Sequence, residues 1–131
     1  MKYLLDTNAI IRHFAQTSKL GKKAKGIIAQ AEKNQHQLFV SIISLMEIMY
    51  LAEKKRIPLT LSEILDDLAS KKCYSVVDFN VNILKEAERI KFYELHDRLI
   101  LATAKLLGTP VISSDQEFKN VEYIDIILYS L

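Results

Sequence analysis

Residues 3–11 read YLLDTNAII: an apolar run, three polar residues in succession, then a second apolar run. Tyr3-Leu4-Leu5 has the make-up of a buried strand. Asp6, Thr7 and Asn8 are all good capping residues ahead of a helix-like Ala9 to Phe14. A strand that turns straight into a capped helix begins a βαβ unit, and the chain repeats that alternation. Lys22 to Lys33 carries Ala24, Ile27, Ile28 and Ala31 at helical spacing. Leu38-Phe39-Val40 reads as a second strand, and Ser44-Leu45-Met46-Glu47 opens a helix running toward Lys55. Leu61 to Ala69 is another helix, with Ser62 at its cap. Ser75-Val76-Val77 is a third strand, and Val81 to Lys91 a helix that Asp78 caps. Asp97 to Leu107 is helical and apolar, stopped by Gly108 and Pro110, and Val111-Ile112 and Ile124 to Leu128 complete the strands.

Strands separated by helices predict an α/β fold, with a mostly parallel sheet of about five strands and helices on both faces. The strands are continuous apolar runs, as expected when both faces are covered. In such sheets function gathers at the carboxyl ends of the strands. Asp6 stands at one of them.

The composition narrows the classes. The 131 residues suit one domain over 1–131; half of them are hydrophobic and 26% charged, which is a globular balance. Three glycines and two prolines are too few for an all-β chain of tight turns. A net charge of +2 does not by itself point to nucleic acid. Lys22, Lys23 and Lys25, and Lys54, Lys55 and Arg56, read as solvated helix faces before they read as an RNA track. Cys73 has no second cysteine to pair with and no partner motif, so it reads as inert. The start of the chain does not have the pattern of a signal peptide, and no run reaches the ~18–20 apolar residues of a membrane span. The expectation is a soluble, cytoplasmic protein with no membrane partner.

Of the sixteen acidic residues, most lie on polar helix faces near lysines, and four do not. Asp6 ends YLLD, Glu47 lies in SLMEIMYL, Asp97 begins HDRLILATAKLLG, and Asp115 follows the fourth strand in PVISSD. Each falls at a strand's carboxyl end or in a helix's first turn, places that share one rim of a parallel sheet. Each also has a local reading. Asp6 and Asp97 suit helix caps, Ser44-x-x-Glu47 and Ser114-x-x-Glu117 match the capping box, and Asp115 is then a first-turn acid. Taken together they weigh differently. At ~6–8 Å and an effective dielectric of ~20, each carboxylate pair repels by roughly 2–3 kcal/mol. Convergence of all four therefore demands shared protons or a cation. No tight His or Cys spacing suggests zinc, whereas all-oxygen ligation suits Mg²⁺ or Mn²⁺.

The ordered segments LLDTNAII, SIISLMEIMYLAEK, HDRLILATAKLLGTPVISSD and the following QEF resemble the PIN-domain family. They are similar in particular to the small single-domain VapC-type toxins of type II toxin–antitoxin systems. The match runs from Tyr3 to Phe118, and HDRLILATA with PVISSD is its most specific part. The resemblance implies a three-layer α/β/α sandwich and metal-dependent endoribonuclease activity. It places the family's acidic set on Asp6, Glu47, Asp97 and Asp115. Under it, Asp6 and Asp97 are the direct ligands of Mg²⁺ or Mn²⁺, and Asp115 binds directly or through water. Glu47 acts through water or orients the nucleophile. Thr7, Asn8 and Ser113 are the donors expected to fix carboxylate geometry, or plain caps. Some relatives carry a further acid after the last one, which Gln116 does not supply. The resemblance also implies an RNA substrate, a 5′-phosphate and a 3′-hydroxyl as products, a protein antitoxin and a homodimer.

Two competing readings remain at this level. One is a PIN nuclease of the same chemistry serving RNA processing. The other is a receiver-like phospho-acceptor domain, which wants paired acids after its first strand and a lysine after its last. LLDTN has a single acid, and IDIILYSL has no lysine.

Overall fold

The computed structural model describes residues 1–92 and 94–129. Five strands, β1 (Lys2–Leu5), β2 (Gln37–Ser41), β3 (Tyr74–Val77), β4 (Val111–Ser113) and β5 (Ile126–Leu128), form one sheet in the order β3-β2-β1-β4-β5. Every pairing is parallel, with Leu4 beside both Phe39 and Val111 at the centre. The helices are α1 (Thr7–Phe14), α2 (Lys22–Glu32), α3 (Ile42–Glu53), α4 (Leu61–Ser70), α5 (Val81–Arg89) and α6 (Leu95–Leu107), with short 3-10 turns at Ser18–Leu20 and Gln116–Asn120.

Alternation along the strands divides the core in two. Tyr3, Leu5, Leu38, Val40 and Ile112 point to one face and pack on Ile10, Ile28, Ile48, Ile64 and Leu68 of α1 to α4. Leu4 and Val111 point to the other and pack on Ile83, Ala87, Leu99, Ile100 and Phe118. The fold is thus the three-layer α/β/α sandwich expected. The chain builds outward from β1 to β2 and β3, then returns through α5 and α6 to lay β4 on the far side of β1. That reversal makes a topological switch point, and the crevice outside the carboxyl ends opens between β1 and β4. The Asp6 amide donates to the Ile112 carbonyl there at 3.1 Å.

The elements stand where the sequence placed them, but four caps do not. Helix α3 begins two residues before Ser44, and Ser41 caps it by accepting from the Ile43 amide at 3.0 Å. Strand and helix meet there in Val40-Ser41-Ile42-Ile43, where Ser41, itself a favoured cap residue, marks the junction three residues before Ser44. Thr60 with Glu63, rather than Ser62, makes a true capping box on α4. Asn80, rather than Asp78, caps α5. Glu94, rather than Asp97, caps α6. Helix α2 opens on Lys22 and Lys23 with no side-chain cap. Cations oppose the dipole at that end, so burial of Ala24, Ile28 and Ala31 holds the helix. Gly108 closes α6 at φ +64°, a left-handed conformation that glycine adopts without penalty. Asp125 is exposed just before β5, and its carbonyl accepts from Val111 at 2.9 Å. Among the described residues no helix is long and apolar enough to cross a membrane.

Candidate functional site

Asp6 leaves β1 and caps α1, its Oδ1 accepting from the Ala9 amide at 2.8 Å. The residue is only 6% exposed. Burial pushes its carboxyl up to about 6, against the pull of the Ser113 hydroxyl, the Ala9 amide and the Arg12 charge; Asp115 pushes the same way as burial. Capping therefore accounts for where Asp6 sits, and it does not remove the cost of the charge.

Glu47 is not part of a capping box. It lies inside α3, half-buried, where Thr7 Oγ1 donates to its Oε1 at 2.8 Å. Thr7 Oγ1 also lies 2.9 Å from Ser44 Oγ. One hydroxyl proton serves one acceptor; the carboxylate is the stronger, so Ser44 donates in turn to Thr7. Burial raises the Glu47 carboxyl and Glu94 adds to this, while Thr7 and the neighbouring His96 lower it.

Asp97 occupies the first turn of α6, half-buried, its amide held by Glu94 Oε2 at 2.6 Å. Burial pushes its carboxyl up to about 7, and the charges of Glu94, Glu47, Asp115 and Asp6 all act in the same direction. Asp115 caps the Gln116–Asn120 turn by accepting from the Glu117 amide at 2.9 Å, so Ser114-x-x-Glu117 is not a capping box. The Asp115 amide donates to Ser113 Oγ at 3.0 Å. Buried Ser113 thus ties the acid after β4 to the acid after β1.

The fold brings the four acids together from four separate segments of the chain: the charges of Glu47, Asp115 and Asp6 all act on Asp97, and that of Asp115 acts on Asp6. They do not form a closed cage. Among the described residues no three Asp, Glu, His or Cys side chains stand close enough to hold a metal ion between them. Such an open all-oxygen set fits Mg²⁺ or Mn²⁺, which keep several waters and need one or two direct carboxylates. It does not fit a tetrahedral zinc site.

Of the expected supporting donors, Thr7 and Ser113 contact the acids, while Asn8 is exposed and makes no side-chain hydrogen bond among the described residues. Three neighbours are additions that the letters did not mark. Glu94 is a fifth acid beside Asp97, hidden because glutamate is not a favoured cap. His96 lies 3.1 Å from Glu94. Arg12 donates from Nη1 to Ser114 Oγ and Tyr129 OH, both at 2.8 Å, beside Asp6. Arg98, next to Asp97, turns away from the acids: its Nη2 donates to the Ala87 carbonyl at 2.9 Å, joining α6 to α5.

Comparison with known proteins adds the family. The PIN domain profile matches residues 3–123. Similar solved structures include VapBC2 from Rickettsia felis bound to a promoter DNA fragment, at 18% identity and TM-score 0.77, covering 99% of this chain and 100% of that one. DNA-bound VapBC from Salmonella typhimurium is 21% identical with TM-score 0.71, covering 97% of each chain. FitAcB from Neisseria gonorrhoeae is 17% identical with TM-score 0.66, covering 95% of this chain and 96% of that one. No curated protein sequence matches. At such identities these structures establish a shared fold.

Proposed function

Because this chain belongs to the PIN domain family, we propose that it is a divalent-metal-dependent endoribonuclease and the toxin of a type II toxin–antitoxin pair. The carrying observation is the meeting of Asp6, Glu47, Asp97 and Asp115 at the β1/β4 switch point, where burial and mutual repulsion raise Asp6 and Asp97 together. A bound Mg²⁺ or Mn²⁺ supplies an acidified water and neutralises charge on the scissile phosphate. Asp6 and Asp97 would hold it directly, and Asp115 directly or through water. Glu47, aimed by Thr7, binds through water or orients the attacking water. In-line attack at phosphorus breaks the bond to O3′, leaving a 3′-hydroxyl and a 5′-phosphate. Ser113 keeps Asp6 and Asp115 in register.

The toxin reading draws on the solved structures of the same fold, which are of VapBC and FitAcB and match over nearly their whole length. Met46, Met49 and Tyr50, exposed on one face of α3, and exposed Leu65 on α4 offer apolar side chains to an antitoxin helix. The protein then works in the cytoplasm as a homodimer.

Purified protein is expected to cut tRNA, rRNA or mRNA with Mn²⁺ or Mg²⁺ and to stop in EDTA. Cleavage that persists in EDTA would end this reading. Thr7→Val keeps the shape and removes the donor to Glu47. It is expected to weaken metal-dependent activity about 10-fold and to cost ~1 kcal/mol of stability. A titration of rate against Mn²⁺ separates these effects: the variant needs more ion, and an unchanged curve would show that Thr7 only packs.

A further inference from the structure

The metal chemistry uses neither Arg12 nor the lysines of α2. Between α1 and α2 lies a cleft of about 300 Å³ lined by Arg12, His13, Thr17, Leu20, Lys25 and Glu32, among others. That volume is at the small end of ligand clefts, which run ~300–1,000 Å³. Its carboxylate is already committed. Glu32 Oε2 accepts from Tyr74 OH at 2.8 Å, Lys71 Nζ at 3.0 Å and His13 Nε2 at 3.2 Å. Lys71 therefore cancels the Glu32 charge, and Arg12 and Lys25 leave the cleft positive. Lys25 is exposed and has no ion-pair partner among the described residues.

Arg12 also joins this cleft to the acidic rim. Its Nη1 bonds Ser114, the neighbour of Asp115, and its charge acts on Asp6. The bonds to Ser114 and Tyr129 use the protons of Nη1 and leave Nε and Nη2 for another acceptor. Six residues of helix separate Asp6 from Arg12, ~9 Å along the axis. A rim of four carboxylates repels a polyanion, so a strand bound there needs cations where it leaves the rim.

We propose that the α1–α2 cleft seats a backbone phosphate of the RNA strand next to the scissile bond, with Arg12 and Lys25 as its contacts. The proposal rests on the nuclease reading above. RNA is favoured over an acidic peptide because the strand cut at the rim continues past it with a phosphate at every nucleotide.

The test is fluorescence anisotropy of a short single-stranded RNA in EDTA, where it is not cut, across a salt series. Lys25→Ala is expected to weaken Kd about 3- to 10-fold and to lower the salt slope by ~0.7, the share of one phosphate contact. Lys25→Glu weakens binding further, and Lys85→Ala on α5 changes neither quantity. Wild-type affinity and slope in both Lys25 variants would overturn the cleft. So would displacement of RNA by inorganic phosphate at equal ionic strength, which marks a free-anion site, or by polyglutamate as effectively as by RNA, which marks a peptide seat. Cleavage with Mn²⁺ but Lys25-independent binding removes the cleft and keeps the nuclease. Lys25-dependent binding without cleavage does the reverse.

Discussion

Asp97→Asn is expected to abolish RNA cleavage, by at least ~100-fold, while making the metal-free protein melt higher at pH 8. Both effects follow from one carboxylate. Asparagine matches the shape, and the link that anchors the start of α6 runs from the backbone amide of residue 97 to Glu94, so the fold keeps its cap. What disappears is a half-buried charge that burial and four neighbouring acids hold up at about 7. A shift from 3.8 to about 7 corresponds to ~4 kcal/mol at pH 8 as an upper bound. Relaxation and water reduce that to ~1–3 kcal/mol, on the order of 5 °C in Tm. On the proposed role of Asp97 as a ligand, its loss would remove several kcal/mol of transition-state stabilisation, at ~1.4 kcal/mol per tenfold in rate. Cleavage assays and melting in EDTA read the two effects separately. Wild-type cutting by the variant would take Asp97 out of the chemistry, and a lower melting point would show that its charge is not under strain.

The metal-free protein should also be more stable at pH 5 than at pH 8, by about 2–4 kcal/mol, and millimolar Mn²⁺ at pH 8 should remove the difference. Asp6 and Asp97 have folded-state values of about 6 and about 7 against 3.8 in the unfolded chain. Between these values the native state binds more protons than the unfolded state, so stability falls as pH rises through the window from ~4 to ~7. Glu32, Glu86 and Glu94 are lowered in the folded state, the opposite sign. Their stabilisation is lost only as pH falls below the unfolded value of 4.5, so a comparison between pH 5 and pH 8 isolates the raised carboxyls, Asp6 and Asp97 together with Glu47. A cation among the ionised acids replaces the protons and stabilises by mass action, ~2.7 kcal/mol at a hundred times Kd. A flat pH profile, or no shift with Mn²⁺, would count against the four acids acting as a unit.

The architecture was readable because its signals are local. Leu4 and Leu5 are both apolar because they face opposite cores, and the same holds for Val111 and Ile112. Continuous apolar runs between amphipathic helices therefore named a parallel sheet covered on both sides. Helix starts were read less well, because a cap depends on where the backbone leaves the extended region. In Val40-Ser41-Ile42-Ile43 that point falls at Ser41, and Ser44 three residues on is an equally good cap by its letter. The two apparent capping boxes were letter matches: Glu47 belongs to Thr7, and Asp115 caps its own turn.

Residue order alone dictated the strands and helices, with Asp6, Asp97 and Asp115 at their junctions and Glu47 inside α3, since propensity, periodicity and capping act over a few neighbouring positions. The meeting of those acids was decided in three dimensions. Strand order β3-β2-β1-β4-β5 sets Ile112 beside Leu5 and so brings Asp115 toward Asp6 across more than a hundred residues of chain. The same packing set Thr7 against Glu47 and turned Arg12 to Ser114. Coulomb repulsion and burial depend on distance in space, and the spacing of letters does not encode that distance.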